Sequence, residues 1–238
     1  MHVLDLDDRL GVNDPAMRLA LFEGLDATAP FQGTAGEAFA IRASALDASR
    51  NPRSVLSPGA IAARAVSAGP GSATIALDLG TGSPTPLSLS RATTRATTTT
   101  DAAAMRIGTL TGGRLCGAVT AADLDRIPAP MGLPANCVAA GGGSSLLDVI
   151  AIGCAVVIIP VVNASQPDID LGGDGIFQGG TNRALRDTNG DRVVDTCRDG
   201  ATGVTITGTN CAQDPRFDDA YSMALTYTAL RVVITAVR

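Results

Sequence analysis

Leu87-Ser88-Leu89-Ser90-Arg91-Ala92-Thr93 opens on apolar and polar side chains that alternate with a period of two and runs on into a Thr-rich stretch. Successive side chains of an extended strand point to opposite faces, so this pattern puts one row into a core and one row into solvent. The same signature, or a Thr/Val-rich equivalent bounded by Gly, Pro, Asn and Asp, recurs at residues 17–23, 38–44, 60–66, 73–79, 105–110, 114–119, 204–207, 221–228 and 231–237. Ten short strands separated by turn residues predict a mainly β protein, an antiparallel β-sandwich of jelly-roll-like kind. The repetitive stretch 91–104, RATTRATTTTDAAA, reads as partly strand or partly mobile.

Two short helices interrupt the strands. Thr120 with Asp123, and Ser145 with Asp148, are start signals in which a hydroxyl residue is followed three positions later by an acid. The first helix must end before Pro128. The apolar run 149–162 holds 14 residues and includes Pro160, short of the roughly 18 that a membrane span needs, and reads as buried core. With 238 residues and 45% hydrophobic content, the chain has enough apolar surface for a single domain over 1–238. Residues 163–215 form an Asp-rich, disulfide-clipped insertion before the last strands.

Composition narrows the function. All 18 basic residues are Arg, and all 23 acidic residues are Asp except Glu23 and Glu37. A net charge of -5 leaves no basic footprint for nucleic acid, and two Tyr, five Phe and no Trp leave no stacking platform for single strands. His2 is the only histidine, which argues against Ser-His-Asp and Cys-His devices; with no Lys, Schiff-base and Walker-type chemistry are excluded. Asp78-Leu79-Gly80-Thr81-Gly82 resembles the phosphate loop of actin-like ATPases, but those need a longer, two-lobed chain, and the segment serves as a hairpin turn. A carboxylate set made of Asp218, Asp219 and Glu23 keeps open an alternative as a glycan hydrolase.

Ten acids and only five Arg lie between Asp168 and Asp219, a local negative field suited to a cation. Within it, Asp187, Asn189, Asp191 and Asp195 occupy positions 1, 3, 5 and 9 of a loop, and Val193 at position 7 offers its carbonyl, the way a backbone wraps calcium. Arg192 stands at position 6, where Gly makes the turn, and Arg198 at position 12, where a Glu would close the cage. Asp168, Asp170 and Asp174 form a worn upstream copy in which Gly172 replaces a ligand, and they are auxiliary candidates. Of the five cysteines, Cys197 and Cys211 flank a short Gly/Thr hairpin and are expected to pair. Cys116, Cys137 and Cys154 leave one over, with Cys116–Cys154 the expected second bridge. No CxxC pair suggests zinc, and disulfides imply an oxidising compartment.

The loop at Asp187 resembles thrombospondin type 3 and dockerin-like calcium loops. Around it, Gly153-Cys154, Gln166-Pro167-Asp168, Cys197, Asp199-Gly200, Asn210-Cys211, Asp214-Pro215-Arg216 and Ala220-Tyr221-Ser222 follow one another in an order similar to a family of uncharacterised exported bacterial proteins, often lipoproteins. Upstream the likeness is looser, through residues 4–8, 13–14, 21–24 and 114–118, and Ala220 stands where that family has Gly. The resemblance implies export and calcium, and brings no activity. The acidic N-terminal segment MHVLDLDDRL is not a signal peptide. The expectation is therefore an extracytoplasmic, non-catalytic, calcium-stabilised protein with an unidentified cell-surface or extracellular ligand, no nucleic-acid partner and no transmembrane segment. A fragment of a longer product without independent function is the remaining alternative.

Overall fold

The period-two pattern runs well beyond seven residues. In the computed structural model, which describes residues 1–26, 34–77, 84–156, 159–171, 183–198 and 202–238, Thr85–Asp101 is one continuous strand that includes most of the repetitive threonine stretch. Leu87 and Leu89 are buried, the phase slips by one at Arg91, and then Ala92, Thr94, Ala96 and Thr98 are buried in turn. Arg91 has φ +49°, and an extra residue in that conformation re-aims the following side chains as a β-bulge does. The buried threonines are hydrogen-bonded: Thr98 Oγ1 donates to the Gly11 carbonyl, and Thr94 Oγ1 lies 3.0 Å from the Arg114 carbonyl and 2.7 Å from the Tyr227 hydroxyl.

In chain order the elements are β1 (His2–Leu4), β2 (Asp14–Leu21), β3 (Gly24–Asp26), β4 (Ala38–Ile41), β5 (Ser54–Ala62), β6 (Ala65–Leu77), β7 (Thr85–Asp101) and β8 (Arg106–Thr120). There follow α1 (Ala121–Asp125), α2 (Leu146–Ile152), β9 (Cys154–Val156), β10 (Ile159–Val162), β11 (Leu185–Arg186), β12 (Thr196–Arg198), β13 (Thr205–Thr207), β14 (Ala220–Leu230) and β15 (Val233–Val237). The protein is mainly β, with a curled antiparallel sheet and further small sheets in a sandwich-like fold. The large sheet has the order β1-β2-β5-β6-β7-β8-β14, a meander through its middle. The smaller sheets are β10-β9, β11-β12-β13 and β15-β4-β3.

Two compact units are distinguished, and the division falls within β6, β7, β8 and β14. The first comprises Met1–Ala76, Ser88–Gly117 and Met223–Arg238. Its core is aliphatic, with Met17, Leu19, Leu56 and Leu89 among the most buried side chains. Small residues let strands approach: a Cβ on Gly113 would sit 2.5 Å from the Tyr227 ring. The second comprises Leu77–Leu87 and Ala118–Ser222. There Val119, Leu124, Leu147, Leu185, Val194 and Phe217 are buried.

Several expected boundaries shift for identifiable reasons. The expected strand 60–66 runs across a hairpin: β5 ends at Ala62, β6 begins at Ala65, and Ala62 faces Ala65 across a two-residue turn. Ala63 and Arg64 have φ +47° and +72°, the conformation that a two-residue hairpin of this hand requires and that Asn-Gly normally signals. The expected strands 105–110 and 114–119 are a single strand, β8, which absorbs Gly112 at φ +59°. Both helices start at the expected hydroxyl residues: Thr120 Oγ1 accepts from the Asp123 N–H at 3.0 Å, and Ser145 makes a full capping box with Asp148.

Cys197 and Cys211 pair as expected, their Cα atoms 5.5 Å apart across the ends of the β12–β13 hairpin region. The expected Cys116–Cys154 bridge is incorrect. Cys154 bonds instead to Cys137, 17 residues earlier and 5.0 Å away between Cα atoms, both in the second unit. Cys116 is held in β8 within the first unit, half-buried and free. Sequence distance alone could not choose between the two partners, because the loop 128–144 folds back: Ala129 N–H donates to the Ser144 carbonyl, and Pro128 bridges Ser145.

Candidate functional site

The Asp187 loop is built from the turn of α2 outward. Ser145 Oγ accepts from the Asp148 N–H at 3.1 Å, and Asp148 Oδ2 accepts from the Ser145 N–H at 2.6 Å and the Ser145 hydroxyl at 2.9 Å. The other oxygen, Oδ1, accepts from the Val194 N–H at 2.7 Å, so one carboxylate caps a helix and anchors a loop 46 residues away. Asp148 is 3% exposed. Burial pushes its carboxyl above the ordinary value, against the hydrogen bonds from Val194 and Ser145 that oppose the shift.

Residues 187–195 connect the antiparallel pair β11 and β12, where Arg186 faces Thr196. The expected ligand residues hold the turn through its own amides. Asp187 accepts from the Gly190 N–H at 2.7 Å and the Arg192 N–H at 3.0 Å, Asn189 from the Asp191 N–H at 2.9 Å, and Asp191 from the Val193 N–H at 2.9 Å. Asp195 accepts from the Thr188 N–H at 3.0 Å and the Thr188 hydroxyl at 2.6 Å. Desolvation acts to raise the Asp195 carboxyl, but the bonds from Thr188 and Thr196 outweigh it and hold the group below its ordinary value.

Arg192 fills the glycine position in a glycine-like conformation, with φ +72° beside Gly190 at +80°. An arginine there costs about 1–2 kcal/mol in backbone strain. Its guanidinium donates to the Gly153 carbonyl at 3.0 Å, and its own carbonyl accepts from the Ser144 hydroxyl at 3.2 Å. These two contacts and the Asp148–Val194 bond hold the loop against the ends of α2.

The upstream acids belong to a different arrangement. Ile169 and Ala220 form an antiparallel bridge, with Ala220 N–H donating to the Ile169 carbonyl at 2.8 Å. Asp168 on one side of that bridge accepts from the Ser222 N–H and hydroxyl. On the other side Asp170 meets Asp218 and Asp219, and one carboxylate oxygen from each lies within 4.8 Å of the others. Among the described residues this trio is the acid cluster able to hold a metal ion; Asp187, Asp191 and Asp195 are not gathered in that way. Asp174 and Gly172 lie outside the described residues, as do Asp78–Gly82 and Asp199–Gly200. Glu23, the third member of the carboxylate alternative, is ion-paired with Arg42.

Sequence reading therefore placed Asp170, Asp218 and Asp219 in separate roles that the fold merges. The consecutive pair 218–219 at the mouth of β14 was legible, but its partner arrives through a bridge between segments about 50 residues apart. Asp148 had a readable helix-start role and no readable second role. Among the described residues, no helix is long and apolar enough to cross a membrane. No known protein family, characterised protein or solved structure matches the chain.

Proposed function

We propose that this is an exported, non-catalytic β-sandwich protein whose acidic second unit is ordered by calcium, and which serves in cell-surface binding or as a structural component. The observation that carries the reading is the Asp187 loop: alternate oxygens of Asp187, Asn189 and Asp191 tie down successive amides around two left-handed residues. Carboxylates held in this way keep lone pairs for a hard cation. The donor set is all oxygen, and the Arg192 guanidinium is engaged by the Gly153 carbonyl. Asp187, Asn189, Asp191 and Asp195 would supply side-chain oxygens and Val193 its carbonyl. The Asp170–Asp218–Asp219 trio is a second place where the same ion would relieve repulsion between carboxylates. Two disulfides support an extracytoplasmic location, and the resemblance to exported lipoprotein-like chains agrees with it.

Calorimetric titration of the oxidised protein with calcium tests the proposal. Saturable binding that raises the melting temperature and disappears in Asp191→Ala supports the loop site. Binding kept in Asp191→Ala and lost in Asp218→Asn moves the ion to the trio. Absence of heat and of stabilisation in the unmodified protein overturns the calcium reading.

A further inference from the structure

The first unit carries a groove of about 570 Å³ with a chemistry opposite to the acidic loops. It is formed by β1 and the residues after it, the first half of β8, the end of β14 and the link into β15. Its walls are aliphatic and thioether: Val3, Leu6, Met105, Ile107, Leu230 and Val232 line it, with Met105 at 65% exposure. Leu230, Val232 and Ile234 add further apolar surface left in water. Among the described residues His2 is the one ring in the lining, so flat ring systems find little stacking surface.

Three arginines, Arg9, Arg106 and Arg231, share the lining, and among the described residues no Asp or Glu does. Among the described residues, none of the three guanidinium groups has a hydrogen-bond or ion-pair partner. A chain with net charge -5 has thus gathered around an apolar trough three cations that have no ion-pair partner among the described residues. Guanidinium groups take carboxylates through paired hydrogen bonds, and a trough of this volume is in the range of small-molecule sites. Flexible Met and aliphatic walls suit a ligand without a fixed ring shape.

We propose that this groove binds a long-chain carboxylate, a fatty acid, with the alkyl chain along Val3, Ile107, Leu230 and Val232 and the carboxylate against Arg9, Arg106 and Arg231. Charge complementarity selects an anion, and the mainly aliphatic lining selects an alkyl body. The site is in the first unit and does not depend on calcium in the second.

Fluorescence titration of the whole chain with cis-parinaric acid, a fluorescent polyene fatty acid, tests it. The expected result is saturable one-to-one binding, displaced by palmitate and at least ~10-fold less well by hexadecanol, because loss of a charge-assisted contact is worth that much. The double variant Arg106→Gln/Arg231→Gln and the single variant Val232→Glu should each weaken binding by about tenfold or more. All three positions are at least partly exposed, so melting curves should match the unmodified protein. Asp191→Ala should bind the probe normally, which separates this proposal from the calcium site. No saturable binding, equal competition by hexadecanol and palmitate, displacement by an acidic peptide in preference to palmitate, or full binding by the variants would each overturn it.

Discussion

Asp148 does two jobs with one carboxylate, closing the first turn of α2 and holding the Val194 N–H of the acidic loop. Truncation would strand three donors, so Asp148→Ala should lower stability by about 2–4 kcal/mol in urea unfolding. Its titration has a definite sign. Because burial raises the folded-state carboxyl above its unfolded value, the folded protein holds this proton more tightly, and the group's effect on stability becomes less favourable as pH rises through the window above the ordinary Asp value. Comparison with Asp148→Asn from acid to neutral pH isolates that slope; a wild-type curve parallel to the variant's would contradict it. Asp14 behaves in the opposite sense. Desolvation acts to raise it, but the amides of Ala16, Asp7 and Asp8 outweigh this and lower it, so its contribution is present above the ordinary Asp value and fades as pH falls below.

At the scale of elements, the β5–β6 hairpin shows what residue types alone concealed. Its turn asks Ala63 and Arg64 for left-handed backbone that costs a residue with a Cβ about 1–2 kcal/mol. Arg64 has a compensation, since its guanidinium donates to Thr100 at 2.6 Å and its carbonyl accepts from the Thr98 N–H at 2.9 Å. Ala63 has only its N–H bonded, to the Asn13 side chain at 2.9 Å. Ala63→Asn should therefore stabilise the protein by about 0.5–1 kcal/mol, seen as a higher midpoint of thermal or urea unfolding. The same contrast explains the strands. Alternation at 87–90 was visible, while the Arg91 phase slip and the fusion of 105–110 with 114–119 depend on neighbouring strands that continue the ladder regardless of Gly112.

For the whole molecule, covalent connectivity is the sharpest expectation. Two disulfides among five cysteines leave one thiol, on Cys116. Denatured without reductant, the protein should titrate one thiol per chain, and five after reduction; peptide mapping should recover Cys137–Cys154 and Cys197–Cys211. A Cys116-containing bridge would refute the arrangement. The acid distribution also acts at this scale. The carboxylates concentrated in the second unit repel when unliganded, whereas the first unit carries, beside an apolar groove, arginines with no ion-pair partner among the described residues. The two proposed ligands, a cation and an anionic amphiphile, thus rest on opposite charge patterns, each within its own unit.

What the sequence determined by itself was whatever is decided within a few residues. Period-two alternation announced the β class, and Thr120 and Ser145 announced the two helices, while the spacing of Asp187, Asn189, Asp191 and Asp195, read as a calcium loop, marked the turn whose side chains bond its own amides. Cys197 and Cys211, separated by 14 residues around one hairpin, belong to the same class. Tertiary structure alone decided that Cys154 meets Cys137, that Asp148 reaches Val194, that Asp170 joins Asp218 and Asp219, and that three arginines border one groove. The reason is physical. Local hydrogen bonds and caps depend on adjacent dihedral angles, whereas these meetings depend on which strands close long loops onto one another, and that choice is made by burial of the whole core.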